Sequence, residues 1–227
     1  MQGSSPDFIS NPTTKRLEWL RRLFLLETRG VLQLSTGVRL LDAKETIPKP
    51  GVILVAPPMM HDPNFRRSVV LLCEHTPEGS FGLILNRPLG VHLAEVVRGM
   101  DGHEHPIVQG GPVQTDTLHF LHTMGEVVPD AIPVGNGIFW GGDFEMMKLL
   151  IETGQVSKSE SRFFLGYSGW SPGQLLEEID QGGWILSRGN AKAVFEVDPS
   201  NLWRSVLRSM GGEYAILSNF PEDPRFN

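Results

Sequence analysis

The residues SVVLLCEHTPEGSFGLILN, from Ser68 to Asn86, form the clearest structural pattern in this chain. Two apolar segments, one ending at Glu74 and the other beginning at Phe81, flank a polar segment whose proline and glycine favour a turn. The pattern predicts an antiparallel hairpin in which Glu74 pairs near Phe81. Because both faces of each strand are largely apolar, we expect the hairpin to lie inside a sheet.

The segments around the hairpin extend this pattern into an α/β domain. Gly51 to Ala56 is a short apolar run that stops at Pro57-Pro58, where no backbone donor is available, so it predicts a buried strand followed by a turn. Further strands are predicted at Arg162 to Tyr167 and at Trp184 to Ser187. Helices alternate with these strands.

Three helices are predicted from their capping residues. Asp143 can cap a helix that ends at Gly154, and Asp198-Pro199 can open another. Ser171-Pro172-Gly173-Gln174 has the order of a capping box and starts the third helix. Apolar residues at helical spacing are expected to face the core, namely Leu175, Leu176 and Ile179 in one helix and Trp203, Val206, Leu207 and Met210 in another.

The domain organisation follows from a Pro- and Gly-rich boundary at Pro48 to Gly51. We expect an N-terminal extension at 1–48, a main domain at 49–215 and a C-terminal tail at 216–227. Within the extension, Thr14 to Glu27 predicts a basic amphipathic helix. Its apolar face is expected either to cover its own domain or to contact a protein partner or an anionic membrane surface, and this face contains Leu17, Leu20 and Phe24.

Charge and composition limit the possible cellular locations and binding partners of the protein. Residues 1–46 hold seven Lys and Arg against five Asp and Glu, whereas residues 47–227 hold thirteen against twenty-one. Because DNA is itself strongly negative, specific DNA binding by the main domain is not expected. A lone cysteine, Cys73, cannot form an internal disulfide, and no apolar run approaches the roughly 20 residues of a membrane span. The sequence therefore favours the cytoplasm.

No catalytic or cofactor motif is complete. His103-Glu104-His105 and His119-x-x-His122 have metal-like spacing, but solvated loop histidines are the preferred interpretation, and no metal site or cofactor is predicted. Gly166 to Trp170 lacks the final glycine of a nucleophile elbow. Gly110-Gly111 and Gly135-Asn136-Gly137 lack the rest of a phosphate-binding loop, so they are interpreted as tight turns. Cys73 is expected to be a buried thiol with a raised pKa.

Four blocks of sequence, in this order, resemble the YqgE/AlgH family. They are Ala56-Pro57 through Asp62-Pro63-Asn64-Phe65, Ser68 through Asn86, Gly110-Gly111-Pro112-Val113 with Leu118-His119, and Gly166 through Trp170 with Gly173-Gln174-Leu175. The resemblance covers about 160 residues from Gly51 to Met210. It implies a mixed α and β fold, in which one domain has a branched, partly barrel-like mixed sheet flanked by helices. The extension of about 45 residues departs from typical relatives.

The resemblance implies a bacterial cytoplasmic regulator, and some relatives are described as transcriptional regulators of exopolysaccharide synthesis. The leading hypothesis is a non-enzymatic regulatory or protein-interaction factor whose effect on transcription is indirect. The alternative is a small-molecule-binding protein or enzyme with a site near Asp62, Asn86 and Tyr167. The sequence leaves open the identity of any ligand or partner, whether any catalysis occurs, whether Cys73 is redox-active and what the oligomeric state is.

The polar residues of the family blocks are the candidate site residues: Asp62, His75, Asn86, His119, Tyr167 and Gln174. The predicted hairpin places Asn86 about 16 Å along the strand from His75, so these two cannot form a direct pair. Asn86 should instead approach the segment from Asp62 to Ser68. The preferred interpretation of Asp62 and Asn86 is a clamp on the local backbone, with a ligand contact as the other possibility.

Overall fold

A computed structural model describes residues 47–221 of the chain, and within this range it contains ten strands and six helices. The strands are β1 Val52–Val55, β2 Val69–Thr76, β3 Gly79–Ile84, β4 Pro88–His92, β5 Pro106–Gln109, β6 Val113–His122, β7 Ile132–Gly135, β8 Ile138–Trp140, β9 Ser161–Trp170 and β10 Ile185–Arg188. The helices are α1 Leu93–Val96, α2 Phe144–Glu152, α3 Gln174–Asp180, α4 Ala191–Phe195, α5 Pro199–Met210 and α6 Gly212–Leu217.

The strands form one curled sheet that branches at β9. Its main path runs β10-β1-β2-β3-β9-β6-β8-β7, and all of these neighbours pair in antiparallel fashion. β5 leaves this path, because it pairs in parallel with the first half of β9 and in antiparallel with β4. The prediction of a mixed α and β fold with a branched, partly barrel-like sheet is confirmed.

The hairpin of β2 and β3 lies inside this sheet, as the sequence predicts. Glu74 is paired with Phe81, and a bulge at Cys73 shifts the register between Leu72 and Glu74. β1 covers the outer edge of β2, and β9 covers β3. Complete burial of the Cys73 thiol is the main reason for its raised pKa, and the charge of Glu74 adds to the effect.

Two apolar cores lie on the sheet. One contains Met147, Leu150 and Ile151 of α2 against Phe120 and Phe163 of the sheet. The other contains apolar residues of β1 and β2 together with Trp170, Leu175 and Trp184. A fully buried side chain of this size contributes about 1.5–3 kcal/mol relative to an exposed one, so these contacts fix how α2 and α3 sit on the sheet.

The helix caps are found largely where the sequence places them. Asp143 accepts a hydrogen bond from the Met146 amide at the start of α2, and Asp198 caps α5 with Pro199 at its first turn. Before α3, the Ser171 amide donates to Gln174 Oε1, which is one half of the predicted capping box. The helix itself begins only at Gln174, after Gly173 in a left-handed conformation.

One core assignment in α3 is wrong. Leu175 is buried and Ile179 packs against the core, but the side chain of Leu176 is 50% exposed. Successive residues of a helix point about 100° apart, and in α3 the inward face is the one shared by Leu175 and Ile179, which leaves Leu176 outside it. Leu176 instead lies at the protein surface.

Gly110 and Gly111 serve a different purpose from the tight turn that the sequence suggested. A Cβ atom on Gly110 would overlap the Gly166 carbonyl oxygen, and one on Gly111 would overlap the Tyr167 backbone. The two family blocks therefore meet, backbone against backbone, where β5 leads into β6 beside β9. The Gly135-Asn136-Gly137 turn between β7 and β8, with positive φ at all three residues, is confirmed.

The predicted N-terminal helix from Thr14 to Glu27, with its face of Leu17, Leu20 and Phe24, lies outside the described residues. Among the helices of residues 47–221, none has both the length and the apolar character needed to cross a membrane.

Candidate functional site

A cavity of about 310 Å³ opens beside α3 and is called here the tryptophan cavity. Three separate parts of the chain line it: the loop after β1, the end of β9 with α3, and the two residues just before β10. Its principal lining side chains are Met60, Asp62, Phe65, Trp170, Glu178 and Trp184. The two tryptophans are each only 4% exposed and form its floor.

Glu178 of α3 holds the floor of the tryptophan cavity together. Its Oε2 accepts hydrogen bonds from the indole Nε1 of Trp170 and of Trp184, both at 2.8 Å. Its Oε1 accepts a third bond, from Gln174 Nε2 at 2.9 Å. Because all three donors are neutral, they stabilise the carboxylate without cancelling its charge.

The aromatic rings of the cavity pack in a fixed arrangement. The Phe65 ring meets Trp184 edge to face at 5.5 Å between centroids, and Trp170 meets Trp184 in the same way at 5.9 Å. Edge-to-face pairs at these distances are favourable, because the positive edge of one ring meets the negative face of the other. The cavity walls are therefore held in place before any ligand arrives.

Asp62 lies at the mouth of the same cavity. Its Oδ1 accepts the Asn64 amide at 2.8 Å and closes the turn that carries Phe65. Gln174 also lines the cavity, where it links the Ser171 amide to Glu178. Of the six predicted site residues, Asp62 and Gln174 are thus brought together at this cavity.

His75 lies in a second cavity, of about 360 Å³, on another side of α3. Its Nδ1 is hydrogen bonded to the Ser80 hydroxyl at 2.8 Å. The two residues are direct neighbours across the β2–β3 hairpin, so the contact is a cross-strand pair. Leu175 and Leu176 line the same space.

Asn86 clamps the backbone before β2. Its Oδ1 accepts the Val69 amide at 2.9 Å, and its Nδ2 donates to the Arg67 carbonyl at 2.8 Å. Arg67 has a positive φ of 56°, a conformation that such bonds help to hold. Asn86 thus bonds the segment after Asp62, as expected from the hairpin, whereas Asp62 accepts a bond from the Asn64 amide.

His119 and Tyr167 belong to an aromatic cluster with Phe81 and Trp140. The ring of Phe81 is 5.4 Å from His119, 5.1 Å from Tyr167 and 4.5 Å from Trp140. The Nε2 atom of His119 is buried without a hydrogen-bond partner. Burial lowers the pKa of His119 to about 4, so the ring is neutral at physiological pH.

The expectation of solvated loop histidines is wrong for His105, His119 and His122, whereas His103 lies in the loop before β5 and is only half-buried. His105 is buried and meets the Phe163 ring edge to face. His122 is also buried, with Nδ1 accepting the Met124 amide and Nε2 donating to the Gly141 carbonyl. Within residues 47–221, the structure has no group of three or more side chains placed to hold a metal ion.

The family model described as AlgH-like matches residues 53–215. The chain belongs to this family. A UPF0301 protein of Chlorobaculum tepidum is 47% identical over 79% of this chain and 96% of its own length. A UPF0301 protein of Bacteroides fragilis is 39% identical over 86% of this chain and its entire length. The resemblance to YqgE/AlgH proteins is therefore confirmed.

Two solved structures have the same AlgH-like fold. The solution structure of the AlgH protein from Pseudomonas aeruginosa superposes with a TM-score of 0.61 at 30% identity, covering 79% of this chain and 98% of that one. The crystal structure of a Corynebacterium diphtheriae protein gives a TM-score of 0.66 at 26% identity, with 78% and 95% covered.

The six candidate residues of the family motifs therefore lie in four separate places in the domain. Asp62 and Gln174 lie at the tryptophan cavity, His75 lies at the second cavity, Asn86 clamps the backbone, and His119 and Tyr167 belong to an aromatic cluster. Sequence reasoning missed Trp170, Glu178 and Trp184 as parts of one site. The spacing of Gln174 and Glu178, one helical turn apart on α3, was the available signal.

Proposed function

We propose that this AlgH-like protein is a non-enzymatic, cytoplasmic regulatory factor that acts by binding a partner protein at the tryptophan cavity. The observation that carries the proposal is the cavity itself, where a rigid aromatic floor lies next to two carboxylates, those of Asp62 and Glu178. Pre-formed pockets with rigid walls are typical sites where an anchor side chain of a partner protein binds, because the pocket loses little entropy on association.

The surroundings of the cavity favour a protein over a small molecule as its occupant. Met59, next to the lining residue Met60, is 62% exposed. A small molecule bound inside the cavity would leave Met59 exposed. A partner protein can cover Met59 and the cavity together.

The alternative of a small-molecule site near Asp62, Asn86 and Tyr167 is less well supported. The tryptophan cavity is lined by Asp62 but not by Asn86 or Tyr167. Both oxygen and nitrogen of the Asn86 amide are already bonded to the backbone, and Tyr167 is buried against Phe81. The three residues therefore act in different places.

The regulatory part of the proposal comes from the family, and its effect on transcription would be indirect. Residues 47–227 carry eight more acidic than basic side chains, a balance that repels the phosphate backbone of DNA. An acidic protein that changes transcription does so most simply by binding another protein. Specific duplex DNA binding is accordingly not expected.

A pair of substitutions on α3 tests the proposal. Gln181 lines the cavity at the end of α3, whereas Glu177 is exposed on the same helix outside it. Gln181→Trp should block the cavity, and Glu177→Trp introduces the same bulk without doing so. Wild-type protein and both variants are used to capture partners from the native cell extract, and each captured protein is then purified and titrated by calorimetry.

The expected result is a partner that binds wild type and the Glu177→Trp variant directly, in a stoichiometric complex, and is lost with Gln181→Trp. Circular dichroism establishes that both variants fold. A partner that binds all three proteins with equal affinity would contradict the proposed use of the cavity.

A further inference from the structure

We infer that the tryptophan cavity receives an arginine side chain of the partner protein. The inference rests on the proposed function and adds the chemistry of the group that is recognised. Within residues 47–221, it follows from the charge of the cavity, from the hydrogen bonds of its two carboxylates and from the shape of its walls.

The cavity is negatively charged and has no internal counter-ion. Asp62 and Glu178 both line it, and none of its lining residues is a lysine or arginine. Neither carboxylate forms an ion pair within 4 Å with any residue that the structure describes. A cationic occupant would therefore gain attraction from both carboxylates without displacing an existing partner.

The hydrogen bonds inside the cavity leave acceptor capacity at its mouth. Glu178 accepts three bonds, from Trp170, Trp184 and Gln174, and these fix its position. Asp62 accepts one bond, from the Asn64 amide at Oδ1. A carboxylate offers about four acceptor positions, so Asp62 retains room for the donors of an incoming side chain.

The aromatic walls select among cations. The ring of Phe65 is half-buried and lines the space above the small exposed parts of Trp170 and Trp184. A guanidinium group is planar and weakly hydrated, stacks on aromatic rings and binds carboxylates through a fork of N–H donors. A lysine ammonium is more strongly hydrated, and Ca²⁺ or Mg²⁺ would need six or more oxygen ligands, which two carboxylates in an aromatic setting do not offer.

Two short peptides test this chemistry on the full-length protein. One is acetyl-Gly-Gly-Arg-Gly-Gly-amide, and the other carries citrulline in place of arginine, so that a neutral urea replaces the guanidinium at nearly the same shape. The indole N–H signals of Trp170 and Trp184, which report on the cavity floor, are followed by NMR during each titration. Single Trp→Phe variants assign the two signals.

The inference predicts saturable shifts of both indole signals with the arginine peptide and none with the citrulline peptide. Asp62→Asn, which keeps an oxygen to accept the Asn64 amide, should weaken the arginine peptide by roughly three- to tenfold, the range of a partly exposed charge-assisted bond. Asp116→Asn is the matched control, because Asp116 is exposed on β6 outside the cavity. It should leave the affinity unchanged.

Equal shifts with the two peptides, or the same loss from Asp62→Asn and Asp116→Asn, would overturn the inference. Such a result is distinguishable from failure of the proposed function. If the arginine peptide fails while Gln181→Trp still abolishes partner binding, the cavity binds its partner by other contacts. If the captured partner binds regardless of Gln181→Trp, the proposed function fails, and with it the assignment of the arginine to a partner.

Discussion

Asn86 belongs to a family motif, and its side chain holds the backbone of the segment before β2. Its side chain bonds the Arg67 carbonyl and the Val69 amide, and it is half-buried. Asn86→Ala would leave both groups without these partners, so we expect a loss of about 1–3 kcal/mol in the free energy of unfolding. Urea denaturation measures the change.

The control for this substitution is Asn201→Ala, at an exposed position in the first turns of α5. It should alter the free energy of unfolding by less than about 0.5 kcal/mol. Equal effects of the two substitutions would show that Asn86 does not act as a clamp.

His119 should make the protein sensitive to acid. Burial lowers its pKa from 6.5 to about 4, so the unfolded chain binds a proton in this interval while the folded chain does not. The stability contributed by the neutral ring is therefore complete above about pH 6.5 and is lost as the pH falls toward 4. The loss is on the order of 3 kcal/mol at most.

The measurement compares melting temperatures at pH 7 and pH 5 for wild type and His119→Phe, a variant that keeps a ring beside Phe81 and Trp140. The drop should be smaller in the variant. Buried His105 and His122, whose pKa values are also lowered by burial, supply the sensitivity that remains. Identical drops would rule out His119 as a source of the acid response.

At the scale of elements, α3 depends on the bonds that Glu178 accepts. Glu178→Ala would leave the indole N–H groups of Trp170 and Trp184 without these acceptors in a buried setting. We expect the free energy of unfolding to fall by at least about 2 kcal/mol and both indole NMR signals to move. Glu177→Ala, exposed on the same helix, should change neither quantity appreciably. Unchanged indole signals in Glu178→Ala would contradict the bonding.

The elements themselves could be predicted because their determinants are local. Asp143 and Asp198 each cap the helix that directly follows, and the pairing of Glu74 with Phe81 is set by a single turn. Leu176 was misplaced because the sequence cannot show which face of a short helix meets the sheet. Burial of His105 and His122 likewise depends on packing between distant segments.

The tryptophan cavity could not be predicted for the same physical reason. Phe65, Trp170 and Trp184 meet only after β1, β9 and β10 have taken their places in the sheet. Asp62 and Gln174 were identified from the family blocks, but nothing in their spacing joins them. A site assembled across three segments requires the topology, whereas a capped helix requires a few neighbouring residues.

At the scale of the whole molecule, the N-terminal extension should contribute to stability. The predicted helix from Thr14 to Glu27 has an apolar face with Leu17, Leu20 and Phe24, and covering its own domain is the commoner use of such a face. A chain that begins at Lys49 should therefore melt several degrees lower than the full chain. Scanning calorimetry measures the difference.

An unchanged melting temperature would assign the extension to an external role instead. In that case the shortened chain should lose binding to a protein partner or to anionic vesicles, since an apolar face beside Lys15, Arg16 and Arg21 suits both. Vesicles of neutral lipid at the same concentration are the control for the second of these roles.

The central claim, that regulation passes through the tryptophan cavity, is tested most directly in the native cell. The chromosomal gene is replaced by the Gln181→Trp or the Glu177→Trp form, and transcript levels are compared with wild type and with a deletion of the gene. Immunoblotting controls for protein abundance. If regulation passes through the cavity, Gln181→Trp should reproduce the transcript changes of the deletion, and Glu177→Trp should match wild type. Wild-type transcripts in the Gln181→Trp strain, against a clear effect of the deletion, would contradict it.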